Sequence, residues 1–403
     1  MTRLTAAPLA NLTQKTPSNY PLAMKPIRQH RLHSIFAFLA LYIAMASIAQ
    51  ATPYWVVIDA GSTGSRLFLY KIKSSTPKGL DITLLSIPNN RVSPGISTDL
   101  NSCGPYISGL FVSLKDYLSS ANIAQKDVTV SLQATAGMRV VSPVNQSKCY
   151  SAVQDELKAQ LPDAVIGPIK TIQGRYEGAF EWLSVNYLKG NLNANSATLG
   201  VLEVGGGSYQ MTFESPGKLD TIDFINVPFG NISYSLFSRS YTGIGGNFSR
   251  EDATDDPDAF QAGFALASGA TGTGHYHKGK LSARSTILTK PVRIPPQAKL
   301  PPLASFIGVG LFSNVAADFN LGSQISSDSI DAAATVFAKQ SYDVNTTDPN
   351  LFSRVFRAQF ISELIRTWFP ASKTLKVEDT INGNEITWTL GSAAYMASGG
   401  VIP

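Results

Sequence analysis

The chain has 403 residues, 44% of them hydrophobic and 15% charged, and a formal net charge of +5, which is globular composition at a length that allows two domains and a well-buried core. Five of its 33 basic residues (Arg3, Lys15, Lys25, Arg28 and Arg31) precede position 52, where there is no acid, so 28 basic residues face 28 acidic ones in the remainder. That balance removes the basic footprint expected of nucleic-acid or membrane-surface binding, and any anion site must be local.

The first 24 residues are polar and without periodicity. Lys25, Arg28 and Arg31 then precede an apolar run from Ile35 to Ala46 and a small-residue site at Ala49-Gln50-Ala51, the pattern of a secretory signal peptide cleaved after Ala51. The run is short for a membrane span. Residues 1–51 are therefore read as signal peptide and leader, with Met24 an alternative start, and the mature protein as secreted without a stable membrane anchor.

Residues 54–70 place an apolar strand before Asp59, a glycine- and hydroxyl-rich turn after it, and a second strand from Arg66. The pattern predicts a β-hairpin built to hold phosphate. Gly61 and Gly64 let backbone N–H groups approach an anion, while Ser62, Thr63, Ser65 and Arg66 add donors. Asp59, at the strand end, suits a divalent cation that bridges to phosphate through water. An ordinary Gly/Ser-rich hairpin remains open on these residues alone.

Further strands follow to residue 100, including Ile82–Ile87 and a Pro88-Asn89-Asn90 turn. Cys103 to Ser119 has Ile107, Leu110, Leu114 and Leu118 on one helical face. Cys103 and Cys149, the only cysteines, are expected to form one disulfide in an exported protein, and their spacing excludes a CxxC motif. A strand at Val128–Leu132 runs into a second phosphate-friendly turn containing Thr135, Ala136, Gly137 and Arg139. A helix over Asn145–Leu161 and a strand over Val165–Ile172 precede another helix, on which Tyr176, Phe180, Leu183 and Tyr187 form a stripe. Glu177 lies beside that stripe in the first turn, where the helix dipole favours a carboxylate able to accept a proton from water, or simply complements the dipole.

Residues 199–213 repeat the first plan: apolar strand, Glu203, a turn of Gly205, Gly206 and Gly207, then Ser208 and an alternating strand to Phe213. Two such hairpins predict two similar halves facing each other. Neither turn is followed by Gly-Lys-Ser/Thr, and neither carries GxGxxG, which excludes a P-loop or dinucleotide fingerprint. Thr221–Val227 reads as strand, and Tyr241 to Leu303 as substrate-side loops. His275 and His277, the only histidines beyond residue 51, form a His-x-His in a glycine-rich loop, a pattern more often solvated loop than metal site, which argues against a His-based triad or a zinc-protease helix. Ser305–Val315 reads as buried strand into helix, Asp331–Phe337 and Phe352–Phe369 as helices, Lys373–Trp388 as a hairpin, and Leu390–Ser398 as a small-residue helix packing on a sheet.

Five stretches, Asp59–Arg66, Ala134–Arg139, Gly174–Leu188 with its Glu177-Gly178, Trp182 and Asn186, Leu202–Gln210, and Thr387–Gly391, occur in an order that resembles the apyrase family, the ecto-nucleoside triphosphate diphosphohydrolases. The resemblance covers roughly Tyr54 to Ser398. It implies an α/β, actin-like ATPase fold of two RNase-H-like domains, the first over 52–171 plus 386–403 and the second over 172–385, with the active site in the cleft between them. It also implies a metal-dependent hydrolase of nucleoside tri- and diphosphates. Glu177 is then the base, Ser208 and Gln210 place the attacking water, the turns from Gly61 to Arg66, Thr135 to Arg139 and Gly205 to Ser208 surround the phosphates, and Asp59 and Glu203 hold the water shell of Mg, Mn or Ca. Tyr342, Arg354 and Arg357 are candidates for contacting the base. Glu203 and Tyr209 depart from the family's Asp and Thr, and the last motif keeps Trp388 and Gly391 before diverging. An exopolyphosphatase or guanosine-pentaphosphate phosphatase shares the first turn, and a catalytically silent nucleotide-binding module is the remaining alternative.

Overall fold

The structure, a computed structural model, describes residues 53–75, 79–193, 195–215, 222–246, 300–341 and 349–403, with isolated residues between 257 and 274. The leader, the His275–His277 loop and Tyr342 lie outside the described residues.

The first sheet begins as a meander of β1 (Tyr54–Ala60), β2 (Ser65–Ser75) and β3 (Gly79–Leu85), with β4 (Arg91–Val92) paired to β2. The central strand β1 buries Val56, Val57 and Ile58 completely, because both of its faces are covered. Helix α1 (Cys103–Ser120) then crosses to β5 (Val128–Ala134), which runs parallel to β1. Helices α2 (Ala136–Arg139) and α3 (Pro143–Gln160) lead to β6 (Val165–Thr171), parallel to β5. The face of α1 predicted from its spacing is the buried one, with Ile107, Leu110, Leu114 and Leu118 at 1% exposure or less. Cys103 and Cys149 are bridged and join α1 to α3 at a sequence separation of 46. In the chain-entropy account, closing such a loop constrains the unfolded chain by about 3–4 kcal/mol.

Helix α4 (Gly174–Leu188) leads to the second sheet, which contains β7 (Gly200–Val204), β8 (Ser208–Glu214), β9 (Phe224–Phe229), β10 (Ile232–Thr242), β11 (Phe306–Gly310), β12 (Gln324–Ile325) and β13 (Leu375–Val377). Its spatial order is β12-β13-β11-β7-β8-β10-β9. An antiparallel β7–β8 hairpin beside a parallel β11 repeats the arrangement of β1, β2 and β5. Strand β10, not among the expected strands, follows the alternation of Ile232–Thr242. The span Lys373–Trp388, expected as one hairpin, divides between two sheets. Leu375–Val377 instead joins the second sheet alongside β11, because both of its valine and leucine ends are buried there. The hairpin itself is only β14 (Thr380–Ile381) and β15 (Asn384–Glu385). Helices α5 (Leu311–Asp318), α6 (Ser327–Ser341) and α7 (Pro349–Trp368) follow β11 and β12, and α8 (Trp388–Ala397) ends the chain's regular structure.

Both sheets belong to one compact unit, Thr52–Pro403. They share a core in which Val57, Phe68 and Tyr70 of the first sheet meet Val201 and Ile307 of the second through α4 and α8. Helix α4 is therefore buried nearly all round, from Glu177 to Asn186, rather than along one stripe. Asn186 is satisfied within the core, donating to the Trp182 and Leu199 carbonyls and accepting from the Leu199 N–H. The small-residue helix α8 packs on α4 as well as on the first sheet. A Cβ at Gly391 would run into the Phe180 carbonyl oxygen, so glycine permits that approach, and its N–H donates to Ser184 Oγ at 2.9 Å. Among the described residues no helix is long and apolar enough to cross a membrane.

Candidate active site

The two hairpin turns face one cavity of about 300 Å³. Its lining includes Asp59, Gly61, Ser62, Thr63, Gly64, Ser65 and Arg66 from the first turn, Thr135 and Ala136 after β5, and Glu203, Gly205, Gly206, Gly207 and Ser208 from the second. Glu177 reaches it from the first turn of α4. Strand geometry explains the placement: Asp59 pairs in register with Arg66, and Glu203 with Gln210, so each acid stands at the base of its own turn. Gly178 lets α4 press onto β8, where a Cβ would come within 2.6 Å of Thr212 Oγ1.

Glu177 is held by two donors on one oxygen. Arg139 Nη2 reaches its Oε2 at 2.5 Å and Gln210 Nε2 reaches the same atom at 3.0 Å, while Oε1 receives neither. Gln210 Nε2 also lies 2.8 Å from Ser208 Oγ. Arg139 completes the frame by donating to the Ile172 carbonyl at 3.0 Å and to Ser208 Oγ at 3.4 Å. Gln210 and Arg139 thus lie just behind the lining, and Gly137 lies beneath the first turn, 3.0 Å from Ser62 Cα measured from where its Cβ would be.

The acids are electrostatically frustrated. Burial and then Glu177 push Asp59 up to about 7, against the opposing pull of Arg66. Burial followed by Glu177, Glu181 and Asp59 raises Glu203 well above the usual carboxylate range. Asp59 Oδ1 and Glu203 Oε2 are buried without a hydrogen-bond partner, as is Gln210 Oε1. Two orphaned carboxylate oxygens in a cavity rich in donors for phosphate fit a divalent cation. Among the described residues there is no group of three or more His, Cys, Asp or Glu that could hold a metal ion directly.

Several lining residues were not singled out from sequence: Phe68, Arg91, Glu181, Val309, Gly310, Glu385 and Ile386, whereas Thr387 and Trp388, also in the lining, belong to the last of the five motifs. Glu181 carried a usable signal, standing one helical turn after Glu177 on the same face. Burial first, then Glu177, Asp59 and Glu385, push it up to about 8, opposed by a hydrogen bond from the Trp388 backbone. Its folded-state value is raised, so the folded chain retains a proton that the unfolded chain has lost. The resulting loss of stability grows as pH climbs from about 4.5 to about 8. Glu181→Gln should accordingly raise the melting temperature at pH 8, with an advantage that shrinks towards pH 5, as melts across that range will test. An advantage independent of pH would remove titration of Glu181 as its cause.

Arg354 and Arg357 do not line this cavity. Both sit on α7 against Asp318, at 3.8 and 3.9 Å.

Comparison with known proteins gives consistent matches. The sequence profile of the GDA1/CD39 (nucleoside phosphatase) family matches residues 45–256. Guanosine-diphosphatase of Saccharomyces cerevisiae is 35% identical over 204 residues, covering 48% of this chain and 39% of the yeast protein. Golgi apyrase of Schizosaccharomyces pombe is 30% identical over 221 residues, covering 48% and 38%. The match thus spans under half the length of these relatives. Among solved structures, nucleoside triphosphate hydrolases from Neospora caninum align with a TM-score of 0.59 at 16% identity, over 91% of this chain and 97% of theirs. The PPX-GPPA enzyme of Aquifex aeolicus aligns at 0.50 and 13%, over 85% and 98%. These two likenesses establish the fold, the α/β actin-like ATPase fold.

Proposed function

The chain belongs to the GDA1/CD39 (nucleoside phosphatase) family, and from that premise we propose that it hydrolyses the terminal phosphate of nucleoside tri- and diphosphates with water activated by Glu177. The observation that carries this reading is the convergence of both turns and Glu177 on one cavity. In this scheme the turn N–H groups, Ser62, Thr63 and Ser208 cradle the phosphates. Arg139 and Gln210 fix Glu177 through Oε2, which leaves Oε1 to take the proton of the attacking water. The partnerless Gln210 Oε1 offers that water an acceptor. Displacement is in line, without a phosphoenzyme.

Asp59 and Glu203 would hold the water shell of a divalent cation, Mg, Mn or Ca. Such an ion neutralises charge on the phosphate oxygens when bound. We assign residues 52–171 with 386–403 to one RNase-H-like domain and 172–385 to the other, since the first sheet's strands fall in the former range and the second sheet's in the latter. Residues 1–51 are proposed to direct export, and the mature protein to be secreted.

Phosphate release from ATP and ADP, with each ion and with chelator, tests the reading. Ion-dependent release from both supports it. Release from long polyphosphate instead points to the exopolyphosphatase alternative, and nucleotide binding without release to a silent module.

A further inference from the structure

A guanidinium fork at the cavity mouth is already occupied. Arg66, on β2, donates through Nη1 and Nη2 to Glu385 Oε1 and Oε2 at 2.5 and 2.7 Å. The partners are 319 residues apart in sequence, and both line the cavity. Their side chains are 36% and 42% exposed, so the pair stands at the rim. The Arg66 guanidinium lies 4.6 Å from the Phe68 ring centroid, which fixes its plane. Glu385 comes from the two-stranded β14–β15 hairpin, which is part of neither large sheet. Arg91 is the direct cross-strand neighbour of Arg66 and makes no ion pair among the described residues.

A carboxylate and a phosphate satisfy the same fork with the same two parallel N–H···O bonds. Glu385 therefore stands where a phosphate oxygen pair would stand, and an arriving anion has to displace it. The outcome depends on how many other anchors the anion has. A phosphoanhydride chain can bind the backbone turns with one phosphate and meet the fork with the next, so its second contact is made at high effective concentration. A lone orthophosphate has no tether and competes with Glu385 at its bulk concentration.

We propose that Glu385 is a specificity-determining residue that holds the Arg66 fork against single phosphates, so that the cavity selects phosphoanhydride chains over the orthophosphate product. The inference rests on the proposed use of the cavity for phosphate. Its consequence is weaker product inhibition.

The test compares binding of orthophosphate and of methylenediphosphonate, a non-hydrolysable phosphoanhydride mimic, by calorimetry on the full chain and on Glu385→Gln, with melting curves to confirm folding. Freeing an exposed charge-assisted fork should tighten orthophosphate by about three- to tenfold more than it tightens the diphosphonate. Adding Arg66→Gln to Glu385→Gln should abolish that gain. An unchanged ratio of the two affinities, a gain that survives loss of Arg66, or no detectable orthophosphate binding by Glu385→Gln overturns the proposal. Neither probe is turned over, so these results are independent of the nucleotide hydrolysis assay.

Discussion

Glu177→Gln should lower turnover by about a hundredfold or more, the usual scale for removing a general base, while nucleotide affinity stays within a few-fold. The substituted amide keeps an oxygen that can accept from Arg139 Nη2 and Gln210 Nε2, the two donors that orient the carboxylate. It cannot take a proton from water. The loss should therefore fall on kcat and leave the substrate dissociation constant nearly unchanged. Phosphate-release kinetics paired with calorimetric binding separate the two. Turnover within a few-fold of the wild type would remove Glu177 from the role of base and leave it as a positioning partner for Arg139.

What the sequence disclosed and what it hid divide along a physical line. The two turns and Glu177 were legible because each depends on local chemistry: glycines where the backbone must turn, hydroxyls beside them, an acid at a strand or helix end. The cavity that unites them depends on pairing between β1 and β5 and between β7 and β11, for which local pattern gives only halves. Glu385 is the clearest loss. It is one exposed acid in a short hairpin, and its meaning comes from Arg66, distant in the chain. Helix α4 failed differently: its apolar stripe suggested one buried face, but packing between the second sheet and α8 buries Glu181, Ser184 and Asn186 too. Strand β10 has the alternation of a strand but runs into the glycine-, serine- and threonine-rich section that begins at Tyr241, and it is pairing with β8 and β9 that makes it sheet.

Arg139→Met should destabilise the protein by about 3 kcal/mol or more at neutral pH, the scale for breaking a buried ion pair by removing one partner. The Arg139 and Glu177 side chains are only 12% and 11% exposed. The arginine also donates to the Ile172 carbonyl and to Ser208 Oγ. Methionine preserves much of the stem's packing but leaves Glu177 facing the other cavity acids with no cation on its Oε2. If that uncompensated charge is the main cause, Glu177→Gln added to Arg139→Met should recover a substantial part of the stability, because an amide tolerates burial where a carboxylate does not. Turnover should stay at the level of the base-deficient variant. Denaturant unfolding of both single variants and the double variant measures the coupling directly. Strictly additive destabilisation would show that Arg139 acts through Ile172 and Ser208 rather than through Glu177. In that event the ion pair would contribute little to holding the base in place.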